Sequence, residues 1–217
     1  MIPVRDTTLR RAFTPVTSAL IVINIIMFIE ELRQGEHLLR LFSVSPLDIY
    51  CYLTQGTGSM FTIHLGILVS GFMHSGYIHL LGNMIFLSAF GPAVEKRLGT
   101  LRFILFYILS VLVAFYSHVL VYPHSNLPLV GASGAIAAIM GAYIVFYPRG
   151  RILTILPLIF LIEIVEIPSV IFILIWFILQ SANGYLSIGN TTSIAWFSHI
   201  GGFLMGLAWA LRLRWFP

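Results

Sequence analysis

A serine that could act as a nucleophile, Ser133, lies between Gly131 and Gly134. A polar, proline-containing loop at residues 123–128 precedes the segment that begins at Leu129. The apolar run from Ser133 to Tyr147 has 15 residues. A helix of that length spans about 22 Å, less than the ~30 Å hydrocarbon core of a bilayer. We therefore expect Ser133 to begin a helix within the membrane and to face a water-filled cavity. Free N–H groups and the helix dipole there favour an oxyanion of acyl transfer. The alternative is that these small residues only allow close helix packing.

A histidine that could serve as the base for this serine, His199, lies five residues into the last apolar run of the chain. Gly202 and Gly206 follow it and form a small-xxx-small face, which lets another helix approach closely. If that helix is the one beginning at Ser133, the imidazole reaches the hydroxyl and can activate it as a nucleophile. The alternative is a histidine that is hydrogen-bonded to a backbone carbonyl.

A second polar set, His74, His79 and Asn83, lies on one predicted span. His79 and Asn83 are four residues apart and therefore share a helix face. An amide and an imidazole N–H that point to one place are suitable oxyanion ligands. Metal ligation is the rival interpretation, but we predict no metal site, because these spans carry no carboxylate or cysteine. For His74, near the water interface, we expect a structural hydrogen bond.

Glu95 lies in the motif Gly-x-x-x-Glu-x-x-x-Gly at the inner end of the same span. It is remote from the serine along the predicted membrane normal. We expect a structural role, in which it fixes a cytoplasmic turn through its basic neighbours and backbone N–H groups.

The composition shows what kind of chain positions these residues. Hydrophobic residues make up 59% of the 217 residues and charged residues 9%, whereas a soluble domain has roughly 25% charged residues. We therefore predict an all-α polytopic membrane protein. The net charge of +4 does not suggest nucleic-acid binding, because the basic residues flank apolar runs. A lone cysteine, Cys51, excludes an internal disulfide and a cysteine-rich metal site.

The apolar runs predict six transmembrane helices in a single domain that covers residues 1–217. Their approximate bounds are 15–32, 66–90, 102–121, 133–147, 168–184 and 194–211. Residues 1–14 read as a basic tail, 33–65 as an outer loop with interfacial helices, 91–101 as a charged turn, and 152–167 as an interfacial connector.

The distribution of basic residues predicts the orientation. With the N-terminus in the cytoplasm, only Arg33 and Arg40 of the 12 lysines and arginines lie outside. The positive-inside rule therefore predicts cytoplasmic termini, and it places the beginning of the Ser133 helix toward the outer face.

The order of these motifs resembles the rhomboid family of intramembrane serine proteases. The motifs are His-(4)-His-(3)-Asn, Gly-x-x-x-Glu-x-x-x-Gly, Gly-x-Ser-Gly and His-Ile-Gly-Gly-x-x-x-Gly. The resemblance implies that Ser133 is the nucleophile and His199 its general base. It also implies that Asn83, His79 and the Ser133 backbone N–H hold the oxyanion.

The same resemblance implies a prokaryotic enzyme with the bare six-helix core, in the inner (plasma) membrane. Its substrates would be single-pass transmembrane proteins, cut within their membrane segments. Membrane lipid is the other expected partner, and no cofactor is implied.

Two departures from the family pattern stand out. The family commonly has a Trp-Arg pair shortly before the second span, and this chain has Phe61-Thr62-Ile63-His64 there. Some members place a tyrosine against the catalytic histidine four residues after the serine, where this chain has Ala137. Another residue must therefore orient His199, or the ring is held less firmly.

Two other classes of function are alternatives to a protease. A catalytically inactive rhomboid-like protein that binds membrane clients would usually lack the serine or the histidine, and this chain has both. A channel or transporter would show paired charges within its spans or broken helices repeated in two halves, and the sequence shows neither.

Overall fold

The computed structural model describes residues 1–7, 13–157, 162–190 and 194–215. Within these residues it contains nine helices and three strands. In chain order they are β1 Ile2–Asp6, α1 Pro15–Gln34, α2 Glu36–Phe42, α3 Pro46–Gln55, α4 Met60–Ser70, α5 Tyr77–Leu98, α6 Thr100–Val119, α7 Ser133–Phe146, β2 Arg151–Pro157, β3 Ile162–Pro168, α8 Ser169–Ser187 and α9 Trp196–Trp215.

Four of the described helices, α1, α5, α6 and α8, are long and apolar enough to cross a membrane. Their apolar stretches are long enough to cross the hydrocarbon core of a bilayer, which indicates a multi-pass membrane protein. Two further apolar helices, α4 and α7, are shorter. The 14 residues of α7 span only about 21 Å.

The second predicted span, 66–90, is wrong at both ends. Its first residues belong to α4, and a turn at 71–76 precedes α5. A residue of another helix stabilises this turn, because the carboxylate of Glu31 in α1 accepts the His74 N–H at 3.0 and 3.1 Å. At the other end α5 continues through Pro92 to Leu98, so the predicted charged turn at 91–101 is mostly helix.

The prediction of an all-α protein is wrong where the chain forms a small antiparallel sheet of order β1-β2-β3. Residues 2–6 of the predicted tail form β1, which pairs with β2, and β2 pairs with β3. The predicted connector at 152–167 is thus a pair of strands. In β2, Ile152 and Thr154 are buried while their neighbours are more exposed, a period-2 pattern that indicates a strand. The rest of the tail at 8–12 and residues 158–161 lie outside the described residues.

The predicted outer segment 33–65 contains α2, α3 and the first turn of α4. A capping box formed by Ser45 and Asp48 begins α3. This segment is tied to the loop that precedes α7, because Val44 and Leu129 form an isolated antiparallel bridge. The bridge brings the outer segment close to the helix start that carries Ser133.

The core is built around α7. Every residue from Gly134 to Tyr143 is buried, because α5, α6 and α9 all pack against this helix. The closest approach is to α9, where a Cβ on Gly202 would lie 2.0 Å from the Gly134 carbonyl oxygen. A Cβ on Gly206 would lie 1.9 Å from the Ala138 carbonyl oxygen. Only glycine at these positions allows the two backbones to meet.

Candidate active site

Ser133 and His199 meet at the N-terminal ends of α7 and α9. Ser133 is the first residue of α7 and His199 the fourth of α9. The Ser133 Oγ lies 2.8 Å from His199 Nε2, across 66 residues of sequence. This distance is a normal hydrogen bond. The close α7–α9 approach at Gly202, one turn beyond His199, brings the two side chains within reach.

The other ring nitrogen of His199 fixes its tautomer. His199 Nδ1 lies 2.7 Å from Gln180 Oε1. An amide oxygen only accepts, so Nδ1 carries the proton and Nε2 presents a lone pair to the Ser133 hydroxyl. In this tautomer the imidazole can take the proton of Ser133 as the serine attacks a carbonyl.

Gln180 is a contact that the sequence analysis missed. Its signal was present, because a strongly polar residue in the apolar span α8 is a functional candidate by default. Trp176 lies four residues before it, on the same helix face. The Trp176 and Trp196 rings flank His199, with centroids 6.1 and 6.2 Å from the imidazole.

His79 lies in the first turn of α5 and is half-buried. The Ser75 backbone N–H donates to His79 Nδ1 at 3.4 Å, so His79 Nε2 carries the proton. That edge of the ring lies against Gly131, where a Cβ would be 2.8 Å from Nε2. Gly131 has φ +124°, a backbone conformation that favours glycine, and it directly precedes Ala132 and the catalytic candidate Ser133.

Asn83 lies one turn after His79 on α5 and is buried. Among the described residues its Nδ2 has no hydrogen-bond partner. A buried donor left unpaired destabilises the folded state by about 1–3 kcal/mol. Such donors are rare in folded proteins and often have a functional role. A ligand atom that accepts this N–H would satisfy the donor.

A structural hydrogen bond was expected for His74. Its backbone N–H donates to the Glu31 carboxylate, but any residue type could make that bond, so it does not test a role of the imidazole. Its ring is buried in the turn before α5, and within the described part of the chain neither ring nitrogen has a partner. Burial, and secondarily the nearby His79, lowers the pKa of His74 to about 4, so the ring is neutral. The His74 and His79 rings are 5.1 Å apart, and His74 thus packs behind His79.

Glu95 is buried far along α5, at the end opposite His79. Its carboxylate accepts the Val16 N–H at 2.9 Å, the Thr17 N–H at 2.7 Å and the Thr17 hydroxyl at 2.6 Å. It therefore stabilises the N-terminus of α1, where free N–H groups and the helix dipole favour a carboxylate. Basic neighbours and backbone N–H groups were both expected as partners of Glu95. The partners observed are backbone N–H groups and a hydroxyl of α1.

Comparison with known proteins places the chain in a family. A family model described as the rhomboid domain matches residues 61–216, most of the 217 residues. The chain therefore belongs to the rhomboid family, which confirms the resemblance drawn from its motifs, and it is a multi-pass membrane protein.

One relative from Bacillus subtilis (strain 168) bears the name "Putative rhomboid protease YdcA". It is 38% identical to this chain over 76 residues, which cover 33% of this chain and 36% of the relative. The similarity thus spans about a third of the length of that relative.

Proposed function

We propose that this rhomboid-family protein is a serine endopeptidase that cleaves transmembrane segments of single-pass membrane proteins. The carrying observation is the 2.8 Å contact between Ser133 Oγ and His199 Nε2. A serine nucleophile with a histidine base within hydrogen-bond reach is the signature of covalent acyl transfer. Family membership supports a hydrolase of this kind.

The proposed reaction has two halves. As Ser133 Oγ attacks the scissile carbonyl carbon, His199 Nε2 takes the hydroxyl proton and then donates it to the leaving amine. A water molecule then attacks the acyl-serine while His199 acts as base again, and the returning proton restores Ser133. Gln180 accepts from Nδ1–H throughout, which keeps Nε2 directed at the serine.

The oxyanion would be held by donors from α5 and from the beginning of α7. Asn83 supplies a buried, unpartnered Nδ2, and His79 supplies Nε2–H beside Gly131. The Ser133 backbone N–H lies at the N-terminus of α7, where the helix dipole also favours negative charge. Preorganised donors of this type contribute the largest single share of many enzymatic rate enhancements.

We also propose that the substrate has small side chains near the cut, because the cavity that lies beside Ser133 is small. Its lining includes Val111, Ala114, Phe115, Val130 and Ser198. Three of these residues belong to α6 and Ser198 belongs to α9, so both helices limit the space beside Ser133. A substrate helix must also unwind before its backbone can reach Ser133, since helical carbonyls are already hydrogen-bonded. Helix-destabilising residues near the cut are therefore expected.

The proposed membrane arrangement is a single domain with six spans, in which α7 and α9 join the four longer helices. Both termini would be cytoplasmic, in a prokaryotic inner membrane, with α2 and α3 near the outer interface. The β1–β2 pairing supports this, because it brings residues 2–6 and 151–155 to one side, as the positive-inside rule expects. The Val44–Leu129 bridge likewise joins two segments expected on the outer face.

The test combines fluorophosphonate labelling with cleavage of a model single-pass substrate in proteoliposomes. Ser133→Ala and His199→Ala are expected to abolish both signals. Matched controls are Ser88→Ala and His37→Ala, which remove exposed side chains on α5 and α2 and should leave both signals unchanged. A folded wild-type protein that neither labels nor cleaves would refute the protease and favour the client-binding alternative.

A further inference from the structure

Gln180 is the polar side chain through which α8 contacts the candidate dyad. It is half-buried, and its Oε1 lies 2.7 Å from His199 Nδ1. Trp176, one turn earlier on α8, lies beside the same imidazole. The face of α8 that carries these two side chains therefore forms one wall of the site.

His199 has few other groups that could orient it. Ala137, four residues after Ser133 on α7, is fully buried and has only a methyl group, so it offers the ring no polar contact. Trp176 and Trp196 restrict the ring but offer no acceptor, because an indole N–H only donates. Two other titratable groups, His79 and His118, interact with His199 electrostatically. Within the described part of the chain, Gln180 is the hydrogen-bond acceptor of Nδ1–H.

We propose that Gln180 is the positioning residue of the dyad, so that Ser133, His199 and Gln180 act as a triad with an uncharged third member. The proposal rests on the protease function proposed above. Gln180 holds the proton on Nδ1 and keeps the lone pair of Nε2 on the serine hydroxyl. In a serine triad with a carboxylate, the third residue performs the same orientation and also stabilises the imidazolium.

An amide suits this location better than a carboxylate. A charged side chain inside a membrane helix is costly unless it is paired. Helix α8 carries no lysine or arginine, so a carboxylate at position 180 would have only the His199 ring, which is neutral until it accepts a proton, to pair with. An amide accepts the same hydrogen bond without that cost. The position thus combines orientation of His199 with stable insertion of α8.

The first test compares Gln180→Leu and Gln180→Glu with the wild-type protein in the cleavage assay. Gln180→Leu removes the acceptor at similar volume, and kcat is expected to fall about tenfold with little change in KM, as for loss of one neutral hydrogen bond. Gln180→Glu restores an acceptor and should recover most of kcat. Because a carboxylate stabilises the protonated imidazole, the acidic limb of its kcat/KM profile should move about one unit to higher pH.

The matched control is Asn183→Leu, which removes an amide three residues further along α8. The Asn183 Nδ2 donates to the Leu179 carbonyl of its own helix and is exposed, so this variant should keep wild-type kcat and pH profile. Unfolding midpoints of all variants separate loss of orientation from loss of fold. Full kcat in a folded Gln180→Leu variant would overturn the proposal while leaving the protease function intact.

A second measurement does not depend on turnover. In protein labelled with nitrogen-15 at histidine, long-range proton–nitrogen spectra distinguish the two ring nitrogens, and His199→Ala assigns the signal. The expected wild-type spectrum has the proton on Nδ1, and Gln180→Leu should give a mixture of tautomers. A wild-type ring protonated on Nε2, or a Gln180→Leu spectrum identical to wild type, would refute the positioning role even if no cleavage is detected.

Discussion

The contact between α7 and α9 at Gly202 determines how far His199 lies from Ser133. A Cβ added to Gly202 would lie 2.0 Å from the Gly134 carbonyl oxygen, whereas ordinary van der Waals contact begins at 3.4 Å. The atoms in the way are backbone, which has no rotamer to escape into. A Gly202→Ala substitution therefore requires α9 to move away from α7 by about 1.4 Å, the difference between these two distances.

That displacement is large enough to break the hydrogen bond between Ser133 and His199. If α9 moves as a rigid body, the present 2.8 Å contact between Ser133 Oγ and His199 Nε2 lengthens to about 4 Å, beyond hydrogen-bonding range. A misplacement of about 1 Å in an active site can cost about 100-fold in rate. We therefore expect kcat/KM of Gly202→Ala to fall about 100-fold.

The assay is cleavage of a model single-pass substrate together with the rate of fluorophosphonate labelling. Gly82→Ala in α5 is the matched control, because a Cβ there meets no atom within 4 Å. Both substitutions gain up to about 1 kcal/mol of helix propensity, and overpacking at Gly202 offsets this by about 1–3 kcal/mol. A folded Gly202→Ala protein with wild-type kcat/KM would refute the argument that this contact positions the dyad.

Two further predictions concern α5. Asn83→Ala should lower kcat about 100- to 1000-fold by removing an oxyanion donor, yet it should leave the unfolding midpoint unchanged or higher, because Asn83 Nδ2 has no partner among the described residues; a lowered midpoint with unchanged kcat would contradict this role. Glu95→Ala should lower the free energy of unfolding by about 2–4 kcal/mol, because buried N–H donors of α1 lose a charged acceptor. Denaturant titration against Glu30→Ala, whose ion pair with Arg33 is exposed and contributes about 0–1 kcal/mol, measures the difference, and equal effects would argue against this role for Glu95.

The sequence by itself determined the family and the candidate chemistry. The spacing of Gly131, Ser133 and Gly134 after a polar loop predicts a helix that begins at the serine, and α7 begins there. These signals are local, since glycines, prolines and the length of an apolar run act within a few residues of chain. The order of several such motifs along the chain was specific enough to indicate the rhomboid family, which the family model confirms.

Element boundaries that depend on distant partners were not predictable in this way. The turn at 71–76 is stabilised by Glu31 of α1, and the sequence around it reads as one continuous apolar span. The last turns of α5 continue past Pro92 where Glu95 bonds to the N-terminus of α1. The strand at 2–6 forms because it pairs with 151–157 across most of the chain, so residues 2–6 alone do not indicate a sheet. The pairing of 151–157 with 162–168 is local along the chain.

The contacts of His199 also divide into those that the sequence indicates and those that depend on tertiary packing. The sequence could supply Ser133 and His199 as partners because both lie in recognisable motifs. Ala137 in place of a tyrosine left two alternatives open, that the ring is held less firmly or that another residue orients it. Which residue does so depends on how α8 is rotated against α9, and no motif encodes that rotation. Packing of Trp176 and Phe177 against His199 and Phe203 determines it, and that packing places Gln180 at Nδ1. The chemistry was therefore readable from residue types, whereas the support of the base exists only in the folded helix bundle.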